Sequence, residues 1–357
     1  VTILLALAIA TQLANVGPHD AAWASSLQSG QIVRLPAGHY RGPWKLGPGV
    51  QLIAAPGAVL EAGEDGAPVL TLSSNDRLEN LTVHADARAV GIFAEDADGL
   101  RFRGVKVSGG ERGVRLHGGS IDWSGGGVEG SARFGIWTQG THALLEGLRV
   151  QHIAGPAIFL GHSSAVLRKV DLSEAEFGVL VLNGTLEMSS SKVGHVQRTG
   201  IGVMQGTGRL SDNQLEGPFS DGAISANSAR GLMLRHNLIR HAGSIGIKLL
   251  GCEATLTRNE VAGARADKEG LEGDGLYLNG SEIVSTGDQI SDVTGVGISV
   301  MGGHCEFKDC AVKGATQAAV SVESQGEAHF KSCSFKEGSL ELIEGRGSTL
   351  KNETPLP

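Results

Sequence analysis

The chain has 357 residues, a formal net charge of −8, 41% hydrophobic residues, 54 glycines and only 4% aromatics. This acidity excludes a general nucleic-acid surface, which needs basic stripes, and works against tight binding to a strongly acidic polymer. The length allows two domains, but the repeats described below predict one continuous solenoid.

Residues 1–14 are apolar and resemble the h-region of a secretory signal, with Ala8 and Ala10 as a small-x-small cleavage pattern. No basic stretch precedes them, and an apolar first strand is the other reading. The run is too short to span a bilayer, so no stable membrane insertion is expected. The expectation is an exported monomer: periplasmic, cell-surface or secreted. Residues 19–28 carry Ala21, Ala22, Trp23 and Leu27 in amphipathic spacing. They predict a short capping helix, because the open end of a stacked-strand fold exposes core and unpaired edges.

Two strings follow: Gly30-x-x-Val33-x-Leu35-Pro36-Ala37-Gly38-x-Tyr40, and Gly49-Val50-x-Leu52-x-Ala54-x-Pro56-Gly57-Ala58-x-Leu60. With the helix before them, they resemble the opening of pectate-lyase-like right-handed parallel β-helix proteins. The resemblance covers residues 19–345. It implies the fold, while the superfamily spans lyases, hydrolases, epimerases, phage tailspikes and non-catalytic proteins.

A short word then recurs. It begins at Gly91, Gly113, Gly135, Ala157, Gly178, Gly200, Ala223, Gly246, Gly275, Gly297 and Ala319, in steps of 22, 22, 22, 21, 22, 23, 23, 29, 22 and 22. The next residue is aliphatic in every copy, and the one two further on is apolar in all but Thr138. Apolar, β-branched residues two apart mark short strands. The period marks an all-β solenoid: a single-stranded right-handed parallel β-helix of about 12 rungs of ~22 residues. A second strand follows in many rungs, as at residues 100–103, 143–146 and 305–308. Asn213, Asn237 and Asn259 recur at a turn, where Asn tolerates left-handed geometry and can stack as a hydrogen-bonded ladder.

The 29-residue step holds an insertion with Asp267, Glu269, Glu272 and Asp274. Ca²⁺ takes several carboxylate oxygens, yet the spacing matches no calcium loop, so a solvated acidic turn is expected and no cofactor or metal set is assigned. Cys310 and Cys333 sit at matching rung positions and are expected on consecutive turns, within disulfide range if the compartment oxidises. Cys252 and Cys305 are the remaining cysteines. Residues 346–357 read as a polar tail.

Strand alternation turns the word's third residue outward. That column reads Phe93, Arg115, Trp137, Phe159, Leu180, Gly202, Ser225, Lys248, Tyr277, Ser299 and Ser321. Four aromatics among eleven outward positions mark a recognition surface, or else a satellite cluster covered by loops. The next outward column contains His117 beside Arg115. Phe93, Arg115, His117, Trp137 and Phe159 are candidate sugar-binding residues. The resemblance implies a polysaccharide groove on this face, but polygalacturonase Gly-His-Gly and Arg-Ile-Lys motifs and the epimerase Asp-Pro-His-Asp motif are missing. Lys248 and Tyr277, on consecutive turns, are the candidate acid/base pair for β-elimination, with Asp274 as their orienting group. Two readings result: a lyase- or epimerase-like enzyme on an acidic polysaccharide, and a non-catalytic surface or envelope scaffold that binds glycans.

Overall fold

The computed structural model describes residues 14–15, 27–63, 66–266, 273–336, 342–344 and 347–353. These form a parallel β-solenoid of about 14 turns, with no helix among the described residues. The expected cap at 19–28 lies outside them except for residues 27 and 28, as do the expected signal segment up to residue 13 and Asp267, Glu269 and Glu272. Leu27 packs against the first core residues.

Each turn has three sides, one more than the sequence predicts. The first sheet stacks Leu145, Leu167, Met188, Leu210, Leu234 and Leu256 inward at matching positions on successive turns. The second stacks Val107, Val128, Val150, Leu172 and Val193, and the third stacks the aliphatic residue of the word. First- and second-sheet segments merge into single bent strands such as Leu100–Gly109, which turns its corner at Gly104 with φ +64°. Second-sheet segments place only one or two apolar residues each in the core, too few to stand out in the sequence beside the word. Thr349–Asn352, within the expected polar tail, pairs with the strand at 327–331 and extends the first sheet.

The small residue that opens each word follows from packing across the interior. A Cβ at Gly113 would lie 2.3 Å from Val128 Cγ1, and one at Gly275 would lie 2.3 Å from Ile290 Cγ2. Larger rings fill the wider parts of the core, as where Phe307 stacks on Phe330 at 4.6 Å.

The asparagine ladder forms as expected, although the left-handed residue is the one before each Asn: Asp212, His236 and Arg258. Asn213 Nδ2 donates to Asn237 Oδ1 and Asn237 Nδ2 to Asn259 Oδ1, both at 3.0 Å. The ladder ends on Asp288, whose Oδ1 accepts the backbone N–H and Nδ2 of Asn259 and whose Oδ2 accepts the Ser285 hydroxyl. Burial pushes the Asp288 carboxyl above its ordinary range, against the hydrogen bonds that favour its charged form. Cys310 and Cys333 continue the same internal column, since their neighbours Ala311 and Ser334 pair in register. All four cysteines are buried free thiols.

Replacing Asp288 with Ala removes the acceptor of the Asn259 backbone N–H and of one Nδ2 hydrogen, and leaves the Ser285 hydroxyl with only the Cys310 sulfur in the core. We expect a loss of about 2–4 kcal/mol in urea unfolding, and a loss below about 0.5 kcal/mol would contradict this account. Thiol titration of the reduced protein should find no rapidly reacting cysteine in the folded state and four after unfolding. Rapid native-state reaction at Cys310 or Cys333 would place those side chains outside the core.

Candidate functional site

The register confirms the outward column. Phe93, Arg115, Trp137, Phe159, Leu180, Gly202, Ser225, Lys248, Tyr277, Ser299 and Ser321 are partners on successive strands of the third sheet. The column divides into an aromatic half and a polar half.

In the aromatic half, Trp137 and Phe159 stack with ring centroids 6.2 Å apart and planes 10° from parallel. Arg115 lies between two rings, 5.4 Å from Phe93 and 5.5 Å from Trp137. A second column, three residues earlier and just before the word, adds residues that sequence reasoning passed over: Arg112, Phe134 and Phe177, joined by register through Pro156. Phe134 packs edge-on to Phe159 at 5.7 Å, and Arg112 reaches both Phe134 and Trp137. The same 22-residue step from 112 to 134 to 156 was the available signal. The rings are half-buried, with guanidinium groups over their faces.

Arg112 is the least solvated cation here. Burial, with Arg115 and Arg133 nearby, holds its guanidinium below the usual arginine range, while Glu111 opposes the shift. Its Nε is buried without a hydrogen-bond partner. His117 stands beside Glu95, with Nδ1 4.0 Å from Oε1.

The polar half contains the candidate acid/base pair. Lys248 and Tyr277 are direct register partners. Lys248 Nζ is 3.2 Å from Asp221 Oδ1, and Asp221 also lies 3.9 Å from Arg198, which covers the Phe177 ring at 4.9 Å. The Tyr277 hydroxyl donates to Met301 Sδ at 3.0 Å. Asp274 is buried, and its Oδ1 accepts the Val296 N–H at 2.8 Å, bracing one turn on the next. Asp221 is a further residue missed from the sequence, because it lies before the word at the end of a turn. Among the described residues no group of three or more His, Cys, Asp or Glu side chains is gathered as a metal site, and no helix is long and apolar enough to cross a membrane.

These features define a parallel β-solenoid with one aromatic, arginine-bearing side. The chain belongs to the family described as right handed beta helix region, whose model matches residues 135–303 and 222–354. No curated protein matches it. Among solved structures, a double mutant of the periplasmic alginate epimerase AlgG is 10% identical, with 76% of this chain and 77% of that chain covered and a TM-score of 0.50. The catalytic unit of a thermostable GH87 alpha-1,3-glucanase from Streptomyces thermodiastaticus is 13% identical, covering 90% of this chain and 63% of that one, at 0.45. The Streptococcus pneumoniae surface protein and adhesin PfbA is 12% identical, with 92% and 94% covered, at 0.42. At these identities the likeness is one of fold.

Arg115 bridges two rings that would otherwise expose their faces. Changing it to Ala should lower stability by about 0.5–1 kcal/mol in chemical denaturation. An unchanged midpoint would mean that the guanidinium contributes nothing to the face.

Proposed function

We infer that the chain binds an acidic polysaccharide laid along its third sheet. One arrangement carries this reading: the Trp137–Phe159 stack, extended by Phe93 and Phe134, with Arg112 and Arg115 set among the rings. Flat rings cover the apolar faces of sugar units, and guanidinium forks receive carboxylates in paired hydrogen bonds. His117 extends the polar margin. The alginate epimerase solenoid offers a neighbour acting on a polymer of this class, and an extracytoplasmic location accompanies the reading.

The register of Lys248 on Tyr277 favours a second reading, in which the polar half performs lyase- or epimerase-like chemistry. β-Elimination from a uronate needs a base for the proton alpha to the carboxyl and an acid for the leaving oxygen. Lys248 and Tyr277 would divide these roles, with Asp274 fixing the strand that carries Tyr277. Lys248 already shares its charge with Asp221, so the geometry supports binding more directly than turnover.

Calorimetric titration with polygalacturonate tests the binding. Trp137→Ala and Arg115→Ala should each weaken it roughly tenfold, about 1.4 kcal/mol, and unchanged affinity in both refutes the assignment. Lys248→Ala and Tyr277→Phe test the chemistry through the ultraviolet absorbance of unsaturated ends. Undiminished turnover in both removes them from catalysis, while binding without turnover in the wild type favours the scaffold.

A further inference from the structure

The corner joining the third sheet to the first carries a second polar surface. Residues there donate a backbone N–H to the next turn from a left-handed conformation: His162 to Leu182, Asn183 to Met204, Gln205 to Asn227 and Ser228 to Leu250. On the flanking turns the same position is Gly140 above and Gly251 below. Side chains therefore project from this corner on four consecutive turns, bounded by a glycine on the turn at either end. Beside them, on the first sheet, His142, Ser164, Thr185 and Thr207 form a parallel outward row. The two rows and Arg230 line a groove of about 510 Å³.

Its chemistry differs from the rest of the surface. No carboxylate lines the groove, although the chain carries a net charge of −8. Imidazole, amide, hydroxyl and guanidinium groups line it instead. The side chains of His162, Asn183, Gln205 and Arg230 are exposed and make no hydrogen bond or ion pair with the protein. A larger cavity of about 670 Å³ on the second sheet is unlike it, because Glu129 and Asp171 line that one and Arg149 is paired with Asp171. Amide and hydroxyl groups match the alternating donors and acceptors of sugar hydroxyls. An acid-free margin with histidines and an arginine lets a negatively charged sugar approach without repulsion. The three strand spacings between the four turns give a length of about 14 Å. One column, containing Gly161, Leu182 and the exposed Met204, separates the groove from the third sheet's outward column, where it meets the end of the aromatic face at Phe159.

We propose that this corner groove is a second subsite for an anionic glycan, in which His162, Asn183, Gln205 and Arg230 recognise hydroxyl and acid groups of sugar units beside those held on the aromatic face. The proposal rests on the polysaccharide reading of that face and adds the residues that distinguish an acidic glycan from a neutral one.

The test uses the full chain and three polymers: polygalacturonate, dextran sulfate and neutral dextran. A triple variant, His162→Gly, Asn183→Gly and Gln205→Gly, removes the side chains while keeping a residue suited to the left-handed position. Its circular dichroism should match wild type. An Arg230→Ala variant provides an independent probe without touching the corner backbone.

The wild type should bind polygalacturonate or dextran sulfate at least tenfold more tightly than dextran, and the preferred polymer identifies the acid group as carboxylate or sulfate. The triple variant should lose tenfold or more of that affinity, and Arg230→Ala should narrow the preference over dextran. Wild-type affinity in both corner variants, with loss in Trp137→Ala, overturns the groove and leaves the aromatic face standing. Loss in the corner variants alone keeps the groove and removes the face. Equal binding of all three polymers, or none, overturns the proposal.

Discussion

Everything in this molecule depends on the in-register parallel hydrogen bonding of one turn on the next. The ladder sets residue n of one strand against a single residue of its neighbour, and strand geometry sends alternate side chains inward and outward. A one-residue slip would move the aliphatic column of the third sheet to solvent and the Phe93–Ser321 column into the core. The hydrophobic cost of that exchange locks the register. The outward columns are therefore straight rows of side chains about one strand spacing apart. A solenoid presents ligands with such rows in place of a pocket closed by a lid, which suits an extended polymer.

This rigidity explains what the sequence made legible. The alignment of the outward column was correct at every position because it needs only the word and the alternation, both repeated eleven times, although Gly202, Ser299 and Ser321 are covered and not solvent-facing. The asparagine ladder was visible for the same reason: one residue type recurred at the rung period. Its terminus was not, because the residue becomes Asp288 and the step there is 29. Phe177 stayed hidden because register irregularities between Ile153 and Pro156, and between Ala175 and Phe177, interrupt the column there, while Arg112 and Phe134 fall one residue before the word. The second sheet stayed hidden because three-residue strands with one inward side chain, as at Leu215 or Ile239, carry no periodicity of their own.

Asp274 shows how a residue chosen for chemistry can belong to the scaffold. Its place before the Tyr277 strand suggested an orienting group. In the fold its carboxylate is buried and accepts a backbone N–H from the next turn, so it satisfies the scaffold's own hydrogen bonding. Asp221 shows the converse. It had no motif around it, yet it joins Lys248 to Arg198 and so ties the polar half of the face to Phe177. Ion pairs this exposed add little stability. Their effect is to fix where the Lys248 ammonium stands.

The distribution of charge bears most directly on what the surface can hold. A chain with a net charge of −8 repels a polyanion at long range, so attraction requires regions where the local charge is reversed. The aromatic half of the third sheet is one, since Arg112 and Arg115 stand among rings and Arg133 adjoins them. Screening confines the background repulsion to about 8 Å at physiological salt, so contacts within these rows decide affinity once the polymer arrives. A sugar chain on the rings would meet carboxylates at Glu111, held near Arg112 and Arg133, and at Glu95, which stands beside His117. Such pairing leaves the arginines enough free donors for a ligand acid while limiting how many acids the face can accommodate. The surface is thereby matched to a polymer that offers ring faces to the aromatics and acid groups to the arginines set among them.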